Sequence, residues 1–141
     1  MDPVCQIELN VVEAMLDENR HVNNVVYVQW MQDAATRHSE VSGCTRMTRA
    51  AGATWVARTH RIEYFRPAFA GDVIKVLTWV ADFRKVRSLR RYRFVRVSDH
   101  AVLAEGETDW VFVDATTGRP RGIPEEIRQA FQIVENPAKA D

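Results

Sequence analysis

The sequence lacks most of the features that mark specialised classes of protein. It has 141 residues with only two cysteines, Cys5 and Cys44, and a formal net charge of zero. Two cysteines are too few for a disulfide framework, and a neutral chain gives no electrostatic reason to bind nucleic acid or an anionic membrane. No apolar run approaches the ~18 residues of a membrane span, and the first residues do not resemble a signal peptide. The four histidines are scattered, without the paired spacing of zinc ligands. These absences predict a cytoplasmic protein that has reduced thiols and needs no metal or other cofactor.

The residues that are present describe an ordinary globular chain. Hydrophobic residues make up 46% of the sequence and charged residues 27%, which is typical of a protein with one packed core. The length suits one domain. We therefore predict a single domain over residues 1–134, followed by a polar C-terminal tail over residues 135–141.

Hydrophobic periodicity predicts a strand followed by one long helix. Residues 4–15 alternate between polar and apolar, as in a strand with one buried face. From residue 24 to about 41 the polar and apolar residues separate onto opposite faces of a helix. Asn23 or Asn24 would cap its start, and Gly43 would end it. The first turn, residues 25–28, is entirely apolar, which predicts that it is buried on every side.

Four further strands and a short helix complete the pattern. The predicted strands are residues 55–66, 73–83, 89–97 and 102–113, and the helix runs from 124 to about 133. One long helix and an antiparallel sheet make an α+β domain, with the helix against one face of the sheet. Long edge strands would favour pairing with a second copy of the chain.

The polar loop between the first strand and the helix is the candidate active site. In an extended loop, Asp17, Asn19 and His21 can face the same side, and a carboxylate beside an imidazole is an acid–base pair. The helix start adds backbone N–H groups and a positive dipole that can stabilise an oxyanion. This combination suits hydrolysis of an acyl group. The alternative is a polar loop whose side chains only cap the helix.

Two sequence motifs point to a family. The run DENRHVNNVVY at residues 17–27, with Trp30 after it, resembles the D-x-N-x-H-V-N-N-V-x-Y motif of hotdog-fold thioesterases. It is most similar to the hydroxybenzoyl-CoA and acyl-carrier-protein thioesterase groups. The run IEYFRPAFAGD at residues 62–72 resembles the Y-x-x-P-x-x-x-G-D turn of the same superfamily.

The resemblance implies a fold, an activity and an assembly. The fold would be a long central helix wrapped by a curved antiparallel sheet of about five strands. The chain would hydrolyse acyl-CoA or acyl-carrier-protein thioesters, and it would form a homodimer or homotetramer with active sites at the subunit interface. Asp17 would be the nucleophile or general base, supported by His21 and Asn19. The backbone amide of Asn24 would polarise the thioester carbonyl.

Three positions depart from the family pattern. Many relatives have an aspartate where this chain has Met15 and a glycine where it has Arg20, and the plant carrier-protein enzymes use a glutamate that aligns with Pro67. Two other functions therefore stay open. One is an acyl-thioester binding module without turnover, and the other is a hotdog enoyl hydratase or dehydratase.

A basic segment gives a second candidate site. Residues 84–96 contain seven basic residues and no acidic ones. They could bind the phosphates of coenzyme A or an acidic carrier protein, and Arg87 and Arg90 are the candidates. The alternative is that these arginines pair across a hairpin with the acidic stripe Glu105, Glu107 and Asp109. His38 lies on the apolar side of the helix and is predicted to be a core residue.

Overall fold

A computed structural model describes residues 2–134, so the predicted tail at residues 135–141 lies outside the described residues. Residues 2–134 contain five strands and three α-helices. In chain order they are β1 (Cys5–Asn10), α1 (Asn24–Ser42), α2 (Cys44–Ala50), β2 (Ala53–Tyr64), β3 (Val73–Val80), β4 (Arg87–Arg96), β5 (Val102–Asp114) and α3 (Glu125–Gln129). No helix in this range is long and apolar enough to cross a membrane.

The five strands form one antiparallel sheet in the order β1-β3-β4-β5-β2. Strand β2 precedes β3 in the chain but lies at the far edge, where it pairs with β5. The predicted α+β architecture of one long helix and about five strands is confirmed.

The core lies between α1 and the inner face of the sheet. Helix α1 contributes Tyr27, Trp30, Met31 and Ala34, which pack against apolar residues of β3, β4 and β5. Gly106 on β5 allows a close approach, because a Cβ there would lie 3.1 Å from the Met31 sulfur. At the other end of the domain, α2 and α3 cover a smaller cluster around Phe112 and Ile127.

The ends of α1 are where local capping rules place them. The Asn23 side chain accepts a hydrogen bond from the Val25 amide at 3.0 Å, and Gly43 ends the helix in a left-handed conformation with φ of 88°. The prediction that the first turn is buried on every side is wrong, because Val25 is 73% exposed while Tyr27 is buried. The turn packs against the sheet on one side only.

The first strand is shorter than predicted. It ends at Asn10, and a 3-10 turn follows at Glu13–Met15. The chain leaves the sheet because Val11 exchanges backbone hydrogen bonds with the loop at Gly71 and Asp72. The predicted strand over residues 4–15 is therefore wrong beyond residue 10.

Candidate active site

Residues 17–21 form a tight turn between two anchored ends. Leu16 and Val22 make an isolated antiparallel bridge, and the Asp17 amide donates to the His21 carbonyl at 2.8 Å. The Val22 amide donates to the carbonyl of Ala68 at 2.9 Å, which ties the turn to the second sequence motif. The two motifs recognised in the sequence therefore fold against each other.

The Asp17 carboxylate is fixed by the backbone of its own turn. Its Oδ1 accepts hydrogen bonds from the amides of Asn19 at 2.9 Å and His21 at 3.3 Å. Its Oδ2 has no donor among residues 2–134, and the side chain is half-buried. One oxygen is thus held in place, and the other is available for chemistry.

His21 and Asn19 lie in the same turn, but their side chains do not bond to Asp17 within the described part of the chain. The His21 ring packs edge-on against Phe69, with 5.3 Å between ring centroids. Asn19 is exposed. The structure therefore brings the three predicted residues together in space, with the His21 imidazole positioned by Phe69 rather than by the carboxylate.

The start of α1 presents an open backbone donor beside this turn. The Val25 amide is taken by the Asn23 side chain and the Val26 amide by the Asn23 carbonyl. The Asn24 amide has no acceptor among residues 2–134. This N–H lies at the positive end of a 19-residue helix, where a developing negative charge is stabilised.

The second motif contributes contacts that periodicity and composition did not predict. The Tyr64 hydroxyl donates to the Asn24 carbonyl at 3.1 Å, and Phe69 contacts His21 as described. Asp72 fixes this loop, since its Oδ2 accepts from the Phe69 amide at 2.9 Å and from Arg96 at 3.4 Å. The feature of the sequence that pointed to these contacts was the motif at residues 62–72, which contains all three residues.

The structure shows the backbone conformation or hydrogen bonds of the three residues that depart from the family pattern, which are Met15, Arg20 and Pro67. Arg20 adopts φ of 65°, a left-handed conformation that favours glycine, and its guanidinium pairs with Glu13 at 2.9 Å. Met15 accepts a hydrogen bond from the Asn23 amide through its backbone carbonyl, which any residue could do. The Pro67 carbonyl accepts from Arg96 at 3.3 Å.

The two arginines predicted to bind substrate phosphates do not lie together. Arg87 contacts Asp109 at 3.4 Å on the outer face of the sheet. Arg90 is buried beneath α1, where its NH1 donates to His38 Nδ1 at 2.9 Å. Within residues 2–134 neither arginine contacts the 17–24 loop, so their role toward coenzyme A stays a prediction.

Most arginines of the basic segment at residues 84–96 pair with carboxylates, as the alternative interpretation predicted. Strands β4 and β5 pair Arg91 opposite Glu107 and Arg93 opposite Glu105, with ion-pair distances of 3.8 and 3.6 Å.

His38 is buried, as predicted, and burial together with the charge of Arg90 lowers its pKa to about 4. Within residues 2–134, no group of three histidine, cysteine or acidic side chains could hold a metal ion.

Comparisons with known proteins agree with these observations. The sequence matches the thioesterase-like superfamily over residues 11–131. It is 26% identical over 112 residues to the acyl-CoA thioester hydrolase YbgC of Escherichia coli O157:H7, covering 79% of this chain and 81% of that protein.

Solved structures extend the likeness to the whole fold. The probable thioesterase YbaW from Escherichia coli superposes with a TM-score of 0.83 at 21% identity, over 89% of this chain and 95% of that one. The 1,4-dihydroxy-2-naphthoyl-CoA thioesterase Slr0204 from Synechocystis gives 0.81 at 17% identity, over 95% and 99%. The predicted hotdog arrangement is confirmed.

Proposed function

Because the chain belongs to the thioesterase-like superfamily, we propose that it is a thioester hydrolase that acts on acyl-CoA substrates. One observation supports this function most directly. The half-buried Asp17 carboxylate lies in the same short loop as the Asn24 amide at the start of α1, and within residues 2–134 neither its Oδ2 nor that amide has a hydrogen-bond partner. A nucleophile or base and an oxyanion donor are the two groups that thioester hydrolysis needs.

Asp17 begins the reaction in either of two ways. As a nucleophile, its free oxygen attacks the thioester carbonyl, the C–S bond breaks, and water then hydrolyses the acyl-aspartate anhydride. As a general base, the same oxygen takes a proton from water while that water attacks the carbonyl. Both routes place negative charge on the carbonyl oxygen and release the thiol of coenzyme A after protonation of its sulfur.

The other groups of the loop support this step. The Asn24 amide and the dipole of α1 stabilise the oxyanion, and no proton transfer is needed for that stabilisation. Tyr64 fixes the same peptide segment through its bond to the Asn24 carbonyl. His21, held by Phe69, and Asn19 line the turn and orient water or the carboxylate.

The predicted homo-oligomer is part of this proposal. Strand β2 is a 12-residue edge strand whose side chains are exposed along most of its length. Exposed apolar side chains lie at both ends of this edge, with Val56 near the start of β2 and the others near its end and the active-site loop: Val25, Tyr64, Phe65 and Phe69. Pairing of two β2 edges would satisfy the free backbone groups of this edge and cover these side chains. We therefore place the active site at the interface of a homodimer, or of a larger assembly built from it.

The predicted cytoplasmic location, independence of cofactors and use of carrier-protein thioesters remain predictions.

Thiol release from a panel of acyl-CoA thioesters tests the activity. The panel covers aromatic, short, medium and long acyl groups and compares wild type with Asp17→Asn. We expect the variant to lose ~100-fold or more of kcat, the scale of acid–base or nucleophilic groups. Glu18→Gln, an exposed neighbour in the same turn, is the matched control and should keep wild-type rates.

Each other outcome has a definite meaning. No release from any substrate contradicts the hydrolase, and saturable acyl-CoA binding without release would indicate the binding module. Loss of the ultraviolet absorbance of an enoyl-CoA would indicate a hydratase. Equal rates for wild type and Asp17→Asn would remove Asp17 from the mechanism.

A further inference from the structure

Arg90 is exceptional within its basic segment. Five of the seven basic residues between 84 and 96 contact a carboxylate, namely Arg84, Arg87, Arg91, Arg93 and Arg96. Lys85 is exposed to solvent. Arg90 is only 6% exposed, yet no carboxylate of residues 2–134 lies within ion-pair distance of it. A buried charge without a counter-charge is costly, so this guanidinium requires an explanation.

The contacts of Arg90 do not neutralise it. Its NH1 donates to His38 Nδ1 at 2.9 Å and to the Thr78 hydroxyl at 3.1 Å. Because a guanidinium only donates, Nδ1 must be the acceptor, and His38 is the neutral tautomer protonated on Nε2. The Phe131 ring lies 5.7 Å away and offers only its π face. The Nε and NH2 groups have no acceptor among residues 2–134.

Arg90 also lines a cavity of about 360 Å³ between the second half of α1, helix α2 and the sheet. The volume lies within the range of small-molecule sites, roughly 300–1,000 Å³. Four aromatic residues line it, and hydroxyl groups and a second guanidinium, that of Arg49, lie in the same wall; the aromatic residues are Trp55, Phe83, Trp110 and Phe131. The Nε–NH2 edge of a guanidinium matches the two oxygens of a carboxylate.

From this geometry we propose that the cavity binds a carboxylate on a small apolar or aromatic body, with Arg90 as the ligand of the carboxylate. Two sources share this chemistry. One is the acyl group of a thioester substrate that carries a terminal carboxylate, and this source rests on the function proposed above. The other is a free carboxylic acid.

The position of the cavity explains how an acyl group could use it. His38 lies about 21 Å along α1 from Asn24, at 1.5 Å per residue, so the cavity is at the opposite end of the helix from the Asp17 loop. Tyr64, at the end of β2, contacts Asn24, whereas Trp55, near its start, lines the cavity. Antiparallel pairing of two β2 strands brings the end of one strand beside the start of the other. The cavity of a second copy would then lie next to this Asp17.

Calorimetry with the full chain tests the site without requiring turnover. Benzoate and adipate are compared with benzamide and adipamide, which have the same shapes without the charge. We expect the acids to bind at least tenfold more tightly than the amides, and this difference to disappear in Arg90→Met. Arg91→Gln is the matched control, because it lies next to Arg90 on the opposite face of β4 and should bind like wild type. The comparison of acid with amide in wild type holds even if Arg90→Met does not fold.

Kinetics separates the two sources. If the ligand is an acyl group, kcat/KM for adipyl-CoA exceeds that for hexanoyl-CoA at least tenfold, and Arg90→Met reverses this preference. If free acids bind through Arg90 without such a preference, the ligand is a free acid. Failure of wild type to hydrolyse any thioester would contradict the proposed function and leave calorimetry to decide on the cavity. Equal binding of acids and amides, with no preference for adipyl-CoA, would overturn the inference while hydrolysis stands.

Discussion

The N-cap of α1 offers a substitution that separates the stability of the helix from catalysis. Asn23 Oδ1 accepts from the Val25 amide at 3.0 Å, directly beside the Asn24 amide that we assign to the oxyanion. Asn23→Ala removes this acceptor without adding charge. Asn23→Asp keeps the acceptor and adds a negative charge. Asn23→Ser is the neutral control that retains a cap.

The expected effects of the two substitutions are opposite. Loss of an N-cap costs about 1 kcal/mol, and the exposure of Val25 allows water to replace the bond, so Asn23→Ala should lower Tm by about 2–3 °C. Asn23→Asp should keep or raise Tm, because a carboxylate at a helix N-terminus contributes about 0.3–1 kcal/mol. At about 6 Å from the developing oxyanion, with an effective dielectric constant of about 20–40, the same carboxylate raises the barrier by roughly 1–3 kcal/mol.

The assays are thermal unfolding and thiol release across a range of pH. Asn23→Asp should lose about 5–100-fold in kcat/KM, whereas Asn23→Ala should lose less than about fivefold. The pH profile excludes a simple shift in the ionisation of Asp17, because repulsion of the oxyanion persists on the alkaline plateau. Wild-type kcat/KM on that plateau for a folded Asn23→Asp would refute the assignment of the oxyanion to the start of α1.

Two further predictions concern the core. Gly106→Ala should lower stability by about 1–2 kcal/mol and Tm by roughly 3–7 °C, because its Cβ would lie 3.1 Å from the Met31 sulfur and 3.2 Å from a backbone carbonyl. Gly122→Ala, which has open space, is the control, and an equal Tm for both variants would contradict the close approach. His38, whose pKa is lowered to about 4 from 6.5, adds no pH dependence to the free energy of unfolding well above pH 6.5, where it is neutral in both states. As pH falls from 6.5 to 4 the unfolded chain takes up the proton first, so denaturant unfolding should show a loss of stability that His38→Asn reduces; an unchanged pH dependence in that variant would be evidence against it.

The sequence predicted the helix better than the strand ends, for a physical reason. Helix caps are local, and Asn23 and Gly43 bound α1 wherever the helix packs. The end of β1 depends on a distant loop, because Val11 bonds to Gly71 and Asp72. The apolar residues Val11 and Val12 follow Asn10 directly, and this local pattern does not reveal where the backbone changes partner. The exposure of Val25 likewise depends on which surface of the domain is left uncovered.

In the candidate site too, features set by neighbouring residues could be predicted, and contacts between distant residues could not. The turn at Asp17 and the capped helix start follow from adjacent residues, so the motif was sufficient to place them together. Tyr64 reaches Asn24 across 40 positions of the chain, and no local pattern specifies that contact. The different surroundings of Arg87 and Arg90, which were predicted together, follow from the register of β4, in which side chains alternate between the outer ion pairs and the buried cavity.

The ion pairs along β4 and β5 also bear on how a substrate arrives. The outer-face arginines of β4, which are Arg87, Arg91 and Arg93, each have a carboxylate opposite or beside them, and the chain as a whole has a formal net charge of zero. Matched charges cancel beyond about 8–10 Å in physiological salt, so this face exerts little long-range attraction on a polyanion such as coenzyme A. This face therefore does not steer a ligand by long-range charge, and it can discriminate among ligands only after contact.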